Sequence, residues 1–516
     1  MKNSIPEAKK RLITNIGSNV MVVIVGTGIG IWQTPYLIRH LGLEVYGMIP
    51  LVISFVAYFN LVTASITNAV TRFVAIHFRK GEVEESNIYF NSALSALFVL
   101  CLILLIPLVL LSLSFSKLFR VPKGFETDTT WLFFSVMLST LIIALTSPFL
   151  VSTFVRHRFD LSNIIKILGR FLRVTYFVVC FTYLSASLKY FGLSYVWMAF
   201  FLLACAILLA KRLTPQLHIN WKTFSWPALH KMGTMSTWIA VNQVGALLYL
   251  SVSFIIINLF LGPQQCGRYG PIALWVTLLG ALGGTIADVF APIAFEYIAR
   301  DRLDVLVLQM RRSTKFLGLI MGFPVGLLCG LAAPVLHRWL GPDFTDLWPL
   351  VWLLIGPWLI TISIRPMFSI FRGLDKVKLP ALITLLGGVI NVSLSIALVV
   401  YTDLGLFGIG LSLLICVVSK NLLFSPIYAA KITDQSGTIF IKELIPGLIM
   451  AAMVSIITFW LSSLYNLATI PRLLVVTVIA FILHFACCYL MFLNKDDKRL
   501  LLSLIDKKNI TQESNV

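Results

Sequence analysis

The chain has 516 residues, 58% of them hydrophobic and only 12% charged, with 41 Lys and Arg against 22 Asp and Glu and a net charge of +19. A mean hydropathy of +0.91 excludes a water-soluble domain of this size. The basic excess is scattered in short connections between apolar runs, where it would face anionic headgroups, so no nucleic-acid partner is expected. Runs long enough to cross about 30 Å of hydrocarbon at about 1.5 Å per residue give fourteen predicted spans. The first seven lie near 12–38, 46–70, 89–115, 131–154, 163–184, 191–210 and 233–261. The rest lie near 269–296, 315–336, 346–370, 379–401, 405–428, 443–464 and 472–493. The expected fold class is therefore an all-α polytopic membrane protein of about 14 transmembrane helices.

Basic residues are retained on the cytoplasmic side. With the N-terminus inside, 33 of the 41 Lys and Arg fall inside, including Lys9, Lys10, Arg11, Arg79, Lys80, Arg156, Arg158, Lys211 and Arg212. Eight fall outside: Arg39, Lys117, Arg120, Lys123, Lys189, Arg268, Arg338 and Arg472. Both termini are thus expected in the cytoplasm. Span one follows a basic start but is too long for a signal-peptide core and lacks a small-x-small cleavage site, so it should stay as a membrane helix. Seven of the eight cysteines lie in predicted spans, with Cys266 expected in an outer loop. They lack disulfide or metal spacing.

The chain also repeats itself. Leu41-Gly42-x4-Gly47 answers Leu261-Gly262-x4-Gly267 at an offset of 220. Ser147-Pro148 answers Arg365-Pro366, and LSNIIKILGRFLRV from Leu161 answers LPALITLLGGVINV from Leu379, at 218; Gly192-Leu193 answers Gly405-Leu406 at 213. Spans one to six thus correspond to seven to twelve, and because six is even both copies enter from one side as parallel repeats. The expected organisation is an N-terminal lobe at 1–210, a cytoplasmic linker at 211–232, a C-terminal lobe at 233–430, spans thirteen and fourteen at 431–494 and a cytoplasmic tail at 495–516. Two such six-helix lobes would enclose a central cavity and rock to expose it to each face in turn, which is a transporter's architecture.

A charge at mid-bilayer costs at least about 2.5–3.5 kcal/mol on insertion scales, so ionisable residues inside spans are candidates for function. In span five, Lys166, Arg170 and Arg173 are spaced i, i+4, i+7 on one helical face. Arg173 lies about ten residues in, roughly 15 Å deep, beyond easy snorkelling. Their repeat partners are Thr384, Gly388 and Asn391, so the fold does not demand cations there. Arg365 precedes Pro366, whose missing amide hydrogen should kink span ten, and Arg72 closes span two. Together these cations suit an anion, since Arg forks match phosphate oxygens. Asp288, whose repeat partner is Asn68, is either a site for a coupling proton or sodium ion or the partner of a cavity arginine. Asn242, Gln243 and Gln33 could hydrogen-bond sugar hydroxyls or act as polar glue between helices.

Other patterns carry less. Gly26-x-Gly28-x-Gly30 lies inside an apolar helix with no preceding strand, which makes it a close-packing or bending site, and Pro35 supports bending. Asn391-Val392-Ser393 is buried in span eleven, and the seven histidines lack metal-ligand spacing. No cofactor or metal is expected.

Spans and repeat come together with three segments: TPYLIRHLGLEVYG (Thr34–Gly47), TRFVAIHFRKG (Thr71–Gly81) and FRGLDKVKLP (Phe371–Pro380). On these the chain resembles the polysaccharide transporter branch of the MOP flippase superfamily, which includes the bacterial O-antigen flippases. The resemblance covers essentially the whole chain. It implies a non-enzymatic protein that moves a polyprenyl-diphosphate-linked oligosaccharide across the bacterial inner membrane by alternating access. The implied partners are that lipid-linked substrate, the surrounding lipids and a polymerase of the same pathway. Lipid II flippases of the superfamily carry arginines in span one, which here has none before Arg39. The alternatives are an ion-coupled multidrug antiporter of the MATE branch, which has twelve spans and acidic cavity residues, and a membrane glycan polymerase or ligase, which needs a larger outer loop than the stretch from Ser116 to Thr130.

Overall fold

The computed structural model describes residues 4–233, 237–464 and 470–492; the expected tail at 495–516 lies outside them. The described residues form twenty α-helices and no strand. In the first half these are α1 (Ser4–Leu41), α2 (Leu43–Tyr46), α3 (Met48–Arg79), α4 (Val83–Leu118), α5 (Glu126–Val155), α6 (Phe159–Tyr183), α7 (Leu188–Leu213) and α8 (Trp226–Gly233). The second half has α9 (Thr237–Ile256), α10 (Pro263–Ala287), α11 (Phe290–Ala299), α12 (Leu303–Gly330), α13 (Ala332–Leu340), α14 (Trp348–Ser363), α15 (Met367–Gly373), α16 (Lys378–Tyr401), α17 (Leu406–Val418) and α18 (Ser425–Ile432). The last two are α19 (Ile439–Leu464) and α20 (Ile470–Cys487).

Thirteen segments of the described residues are long and apolar enough to cross a membrane. The fourteenth expected span is α6, whose 25 residues reach about 37 Å at about 1.5 Å per residue but carry Asp160, Lys166, Arg170 and Arg173. Predicted spans eight and ten are not single rods. The first breaks at Asp288 and Val289 between α10 and α11, and the second at Ile364–Pro366 between α14 and α15, where Pro366 was expected to act. Cys266 is a correction: it lies in the first turn of α10 and is buried, its thiol 3.4 Å from the Phe254 carbonyl oxygen, because α10 starts earlier than the apolar run.

Five helix ends share one device. Residue Gly81, His157, Asp301, Asp375 or Asp434 takes a positive φ of 52–82° after the helix. The next amide then reaches back five residues, as in Arg158 N to Thr153 O at 2.8 Å and Lys376 N to Phe371 O at 2.8 Å. This is the Schellman closure, and Asp and His tolerate the left-handed conformation better than most side chains. Gly81 and Asp301 are 220 residues apart, and His157 and Asp375 are 218 apart, the offsets of the repeat.

The described chain forms two compact units, one of residues up to Leu274 with Val377–Ser412 and one of Trp275–Lys376 with residues from Leu413 onward. In the first, the two Leu-Gly-x4-Gly copies meet each other. Gly42 and Gly262 both take positive φ, 81° and 93°, and turn the chain into the next span. A Cβ on Gly47 would overlap the Pro263 carbonyl oxygen, and one on Gly267 would overlap the Leu43 carbonyl oxygen. Pro263 is Leu43 advanced by 220, so the contact is reciprocal. In the same unit the stretch after α7 is pinned to α4. Asn87 Nδ2 donates to Gln216 O at 2.9 Å and Asn91 Nδ2 to His218 O at 3.0 Å, while the amides of His218 and Asn220 return bonds to the two Oδ1 atoms at 3.0 and 2.8 Å.

In the second unit α19 docks on α12 through small residues, the usual means of close helix approach in lipid. Gly318, Gly322, Gly326 and Gly330 follow one face of α12; a Cβ on any of the last three would press on the backbone of Gly447, Ala451 or Ser455, and one on Gly447 would press on Gly318. Arg311 closes the end of this pair on Glu443, with Nη2 to Oε1 at 2.7 Å, and His484 of α20 bonds Leu319 O at 3.0 Å.

Candidate functional site

In the first unit α6 packs between α1 and α7 and carries three cations on one face. Lys166 is exposed, Arg170 half-buried and Arg173 buried, 8% exposed. Arg170 Nη1 donates to Val22 O of α1 at 2.5 Å. The guanidinium lies where a Cβ on Gly26 would be, so the first glycine of the Gly-x-Gly-x-Gly run is a seat for Arg170. Two turns further along α1, Gln33 Oε1 accepts from Arg173 Nη2 at 2.9 Å. Arg173 also lies over the Tyr195 ring at 4.6 Å and near Phe191 at 6.0 Å. Its Nε is sealed from solvent with no acceptor.

Lys166 and Arg170, and Arg170 and Arg173, are within electrostatic reach of each other. Among the described residues none of the three pairs with a carboxylate; the nearest in sequence, Asp160, is held by Arg158 at 3.0 Å. Like charges on one face repel, and burial strengthens that repulsion by lowering the local dielectric. A guanidinium fork is suited to phosphate oxygens.

The corresponding pair in the second half, α9 and α16, is closed. A Cβ on Gly245 would stand 2.6 Å from Leu385 N, and one on Gly388 would stand 2.7 Å from Gly245 O, so these backbones touch. Asn391, the counterpart of Arg173, spends its amide on Leu248 O at 3.0 Å and receives Ser412 Oγ at 3.0 Å. Thr384, the counterpart of Lys166, bonds within its own helix to Pro380 O at 2.7 Å.

In the second unit Arg365 and Asp288 come together at the two helix breaks. Arg365 is half-buried and occupies the space that a Cβ on Gly284 would need. Asp288, one turn beyond Gly284, is exposed at the α10–α11 break and within electrostatic reach of Arg365. The glycine that seats the arginine thus also brings it to the carboxylate.

Arg72 is exposed on α3, and Asn242 and Gln243 are exposed near the start of α9. Glu296 is a surface residue, paired with Arg300 at 2.7 Å. The sequence reading missed Lys420 by counting it with the inner cations, although the predicted span 405–428 contains it. In the structure it is half-buried in the middle of the helical segment Leu406–Ile432.

Residues 12–298 match the family described as "Polysaccharide biosynthesis protein". Over 496 residues the chain is 27% identical to "Uncharacterized membrane protein EpsK" of Bacillus subtilis (strain 168), covering 96% of this chain and 98% of that protein. Among solved structures it is similar to the lipid II flippase MurJ in an inward closed conformation, with a TM-score of 0.61 at 14% identity over 91% of this chain and 98% of the other. It is also similar to an inward-facing multidrug resistance MATE family transporter of the MOP superfamily, with a TM-score of 0.60 at 15% identity over 82% and 99%. At such identities the structures speak for the fold, and the family match for membership: the chain belongs to the polysaccharide biosynthesis protein family.

Proposed function

We propose that the protein is a flippase that carries a polyprenyl-diphosphate-linked oligosaccharide from the inner to the outer leaflet of a bacterial cytoplasmic membrane, with both termini in the cytoplasm. The observation that carries the reading is the cation column of α6, three charges that pair with no carboxylate among the described residues, ending at a buried Arg173. The column takes the diphosphate, the lobes at 1–210 and 233–430 alternate between faces, and the prenyl tail stays in lipid. Arg365 and Arg72 are further anion contacts, and Asn242 and Gln243 meet sugar hydroxyls. Asp288 couples transport to an ion by exchanging Arg365 for a proton or sodium.

The test is depletion of the protein followed by separate assay of lipid-linked glycan in the two leaflets. The expected result is the complete lipid-linked oligosaccharide accumulating on the cytoplasmic leaflet. An unchanged distribution together with raised sensitivity to cationic drugs overturns the reading in favour of an antiporter. For Asp288, transport by Asp288→Asn that is unaltered under imposed proton and sodium gradients removes it as a coupling site.

A further inference from the structure

Lys420 lies fourteen residues from the start and twelve from the end of Leu406–Ile432, roughly 20 Å from either end at about 1.5 Å per residue. That is the centre of a bilayer, where snorkelling cannot bring an ammonium to water and a charge persists only for a reason. At the repeat offset of 213 its counterpart is Ile207 of α7, so the fold accepts an aliphatic residue there. The backbone is also special at this place. Residues Ser419–Phe424 form a π-helical turn between α17 and α18, whereas α7 runs through as uninterrupted α-helix. The π-helical turn Ile257–Leu261 ends α9 at Gly262, while this one interrupts a helix that continues as α18. Such single-turn bulges inside α-helices are rare and are frequently found at functional sites.

A neighbour holds the turn in place. Asn421, 4% exposed, donates from Nδ2 to Thr361 Oγ1 of α14 at 2.8 Å, one turn before Arg365. Its Oδ1 is buried with no partner, so the anchor is kept although half of the amide is left unsatisfied, a cost that folding alone does not reward. Lys420 itself is half-buried.

We infer that Lys420 is a second oxyanion-binding residue of the transport path, separate from the α6 column, with Asn421 as the positioning residue that pins its π-helical turn to α14. The inference rests on the flippase reading. The oxyanion is either the carboxylate of an acidic sugar or the lipid's own diphosphate, and one set of measurements separates them. The full chain in phosphatidylcholine nanodiscs is titrated with farnesyl diphosphate and with methyl glucuronoside, following the ligand-induced shift in melting temperature.

Lys420→Met, which keeps the length of the side chain and removes its charge, is expected to weaken one of the two ligands about tenfold, while Lys420→Arg stays near wild type. Loss confined to the glucuronoside identifies an acidic sugar, and loss confined to farnesyl diphosphate identifies the lipid diphosphate. Asn421→Leu, which removes the anchor and keeps the ammonium, is expected to weaken the same ligand to a smaller degree, and it serves if Lys420→Met does not fold. Unchanged binding of both ligands in both variants overturns the inference. Arg173→Ala in the same discs separates the two failures. If it loses farnesyl diphosphate while Lys420→Met binds normally, only Lys420 falls; if Lys420→Met loses a ligand while Arg173→Ala binds normally, the α6 column falls.

Discussion

The α1–α6 and α9–α16 pairs occupy corresponding positions at the repeat offset and lie in the same compact unit, yet one is sealed and the other is charged. In α9–α16 two glycines bring backbone against backbone, and Asn391 spends its amide inside the pair. In α1–α6 the residue at the position of Gly388 is Arg170, and Gly26 serves as room for its guanidinium. A helix pair in lipid gains most from small residues and close approach, and the second half shows that this repeat can have that. The cations of α6 thus stand where this repeat can have close packing, and on the flippase reading the difference between the pairs measures what the charges cost in packing.

Making the sealed pair resemble the charged one should have the largest effect. Gly388→Arg puts a long side chain where backbones touch and is expected to cost about 3 kcal/mol or more, read as loss of folded protein in detergent melting curves; a wild-type melting temperature would show that the glycine contact is not what closes α9–α16. Next comes Arg173→Ala, which removes the buried end of the column. Export of surface polysaccharide should fall roughly tenfold, since one charge-assisted contact carries about 1.5–3 kcal/mol, with membrane levels intact and only partial rescue by Arg173→Lys. Normal surface glycan in Arg173→Ala would break the comparison at its functional end.

A subtler change leaves the arginine and takes away its seat. Gly26→Ala meets only the tip of a flexible side chain, so Arg170 moves and the helices do not; transport should drop by a factor of about three, under 1 kcal/mol, at unchanged melting temperature. The smallest expected effect has the opposite sign. Arg170→Leu replaces a half-buried charge by an aliphatic residue, which is neutral or stabilising by about 1 kcal/mol, so the variant should melt no lower than wild type while exporting less. A clear fall in melting temperature would assign Arg170 to the scaffold.

Much of this was readable from the chain. Apolar runs gave the spans, and the spacing of Lys166, Arg170 and Arg173 placed them on one face, because both signals are local and periodic. The kink at Pro366 followed from a missing amide hydrogen. The break at Asp288 has a similar cause that the sequence reading passed over: Pro292 lacks the amide hydrogen that would bond the Asp288 carbonyl four residues before it. The meaning of Gly26 was hidden for another reason: a glycine announces room, but which side chain takes it depends on a partner 144 residues away. Lys420 was concealed differently. Counting charges by loops assigns every lysine to a side, and that arithmetic discards a lysine at the centre of a span, although the apolar flanks of Ser419, Lys420 and Asn421 marked it.

The reciprocal contact of Gly47 with Pro263 and Gly267 with Leu43 has the logic of an isologous interface, in which one patch recognises its own copy around a two-fold axis. Two separate chains with such a patch would form a closed pair; here the pair has been joined into one polypeptide. Linkage relieves each glycine of finding its mate by diffusion, but not of matching it: a side chain added at either position strikes the other copy's backbone, and no change at that same position can make room for it. The duplication thus binds the two copies to each other's spelling, and divergence between the halves has to proceed elsewhere, as it has on α6.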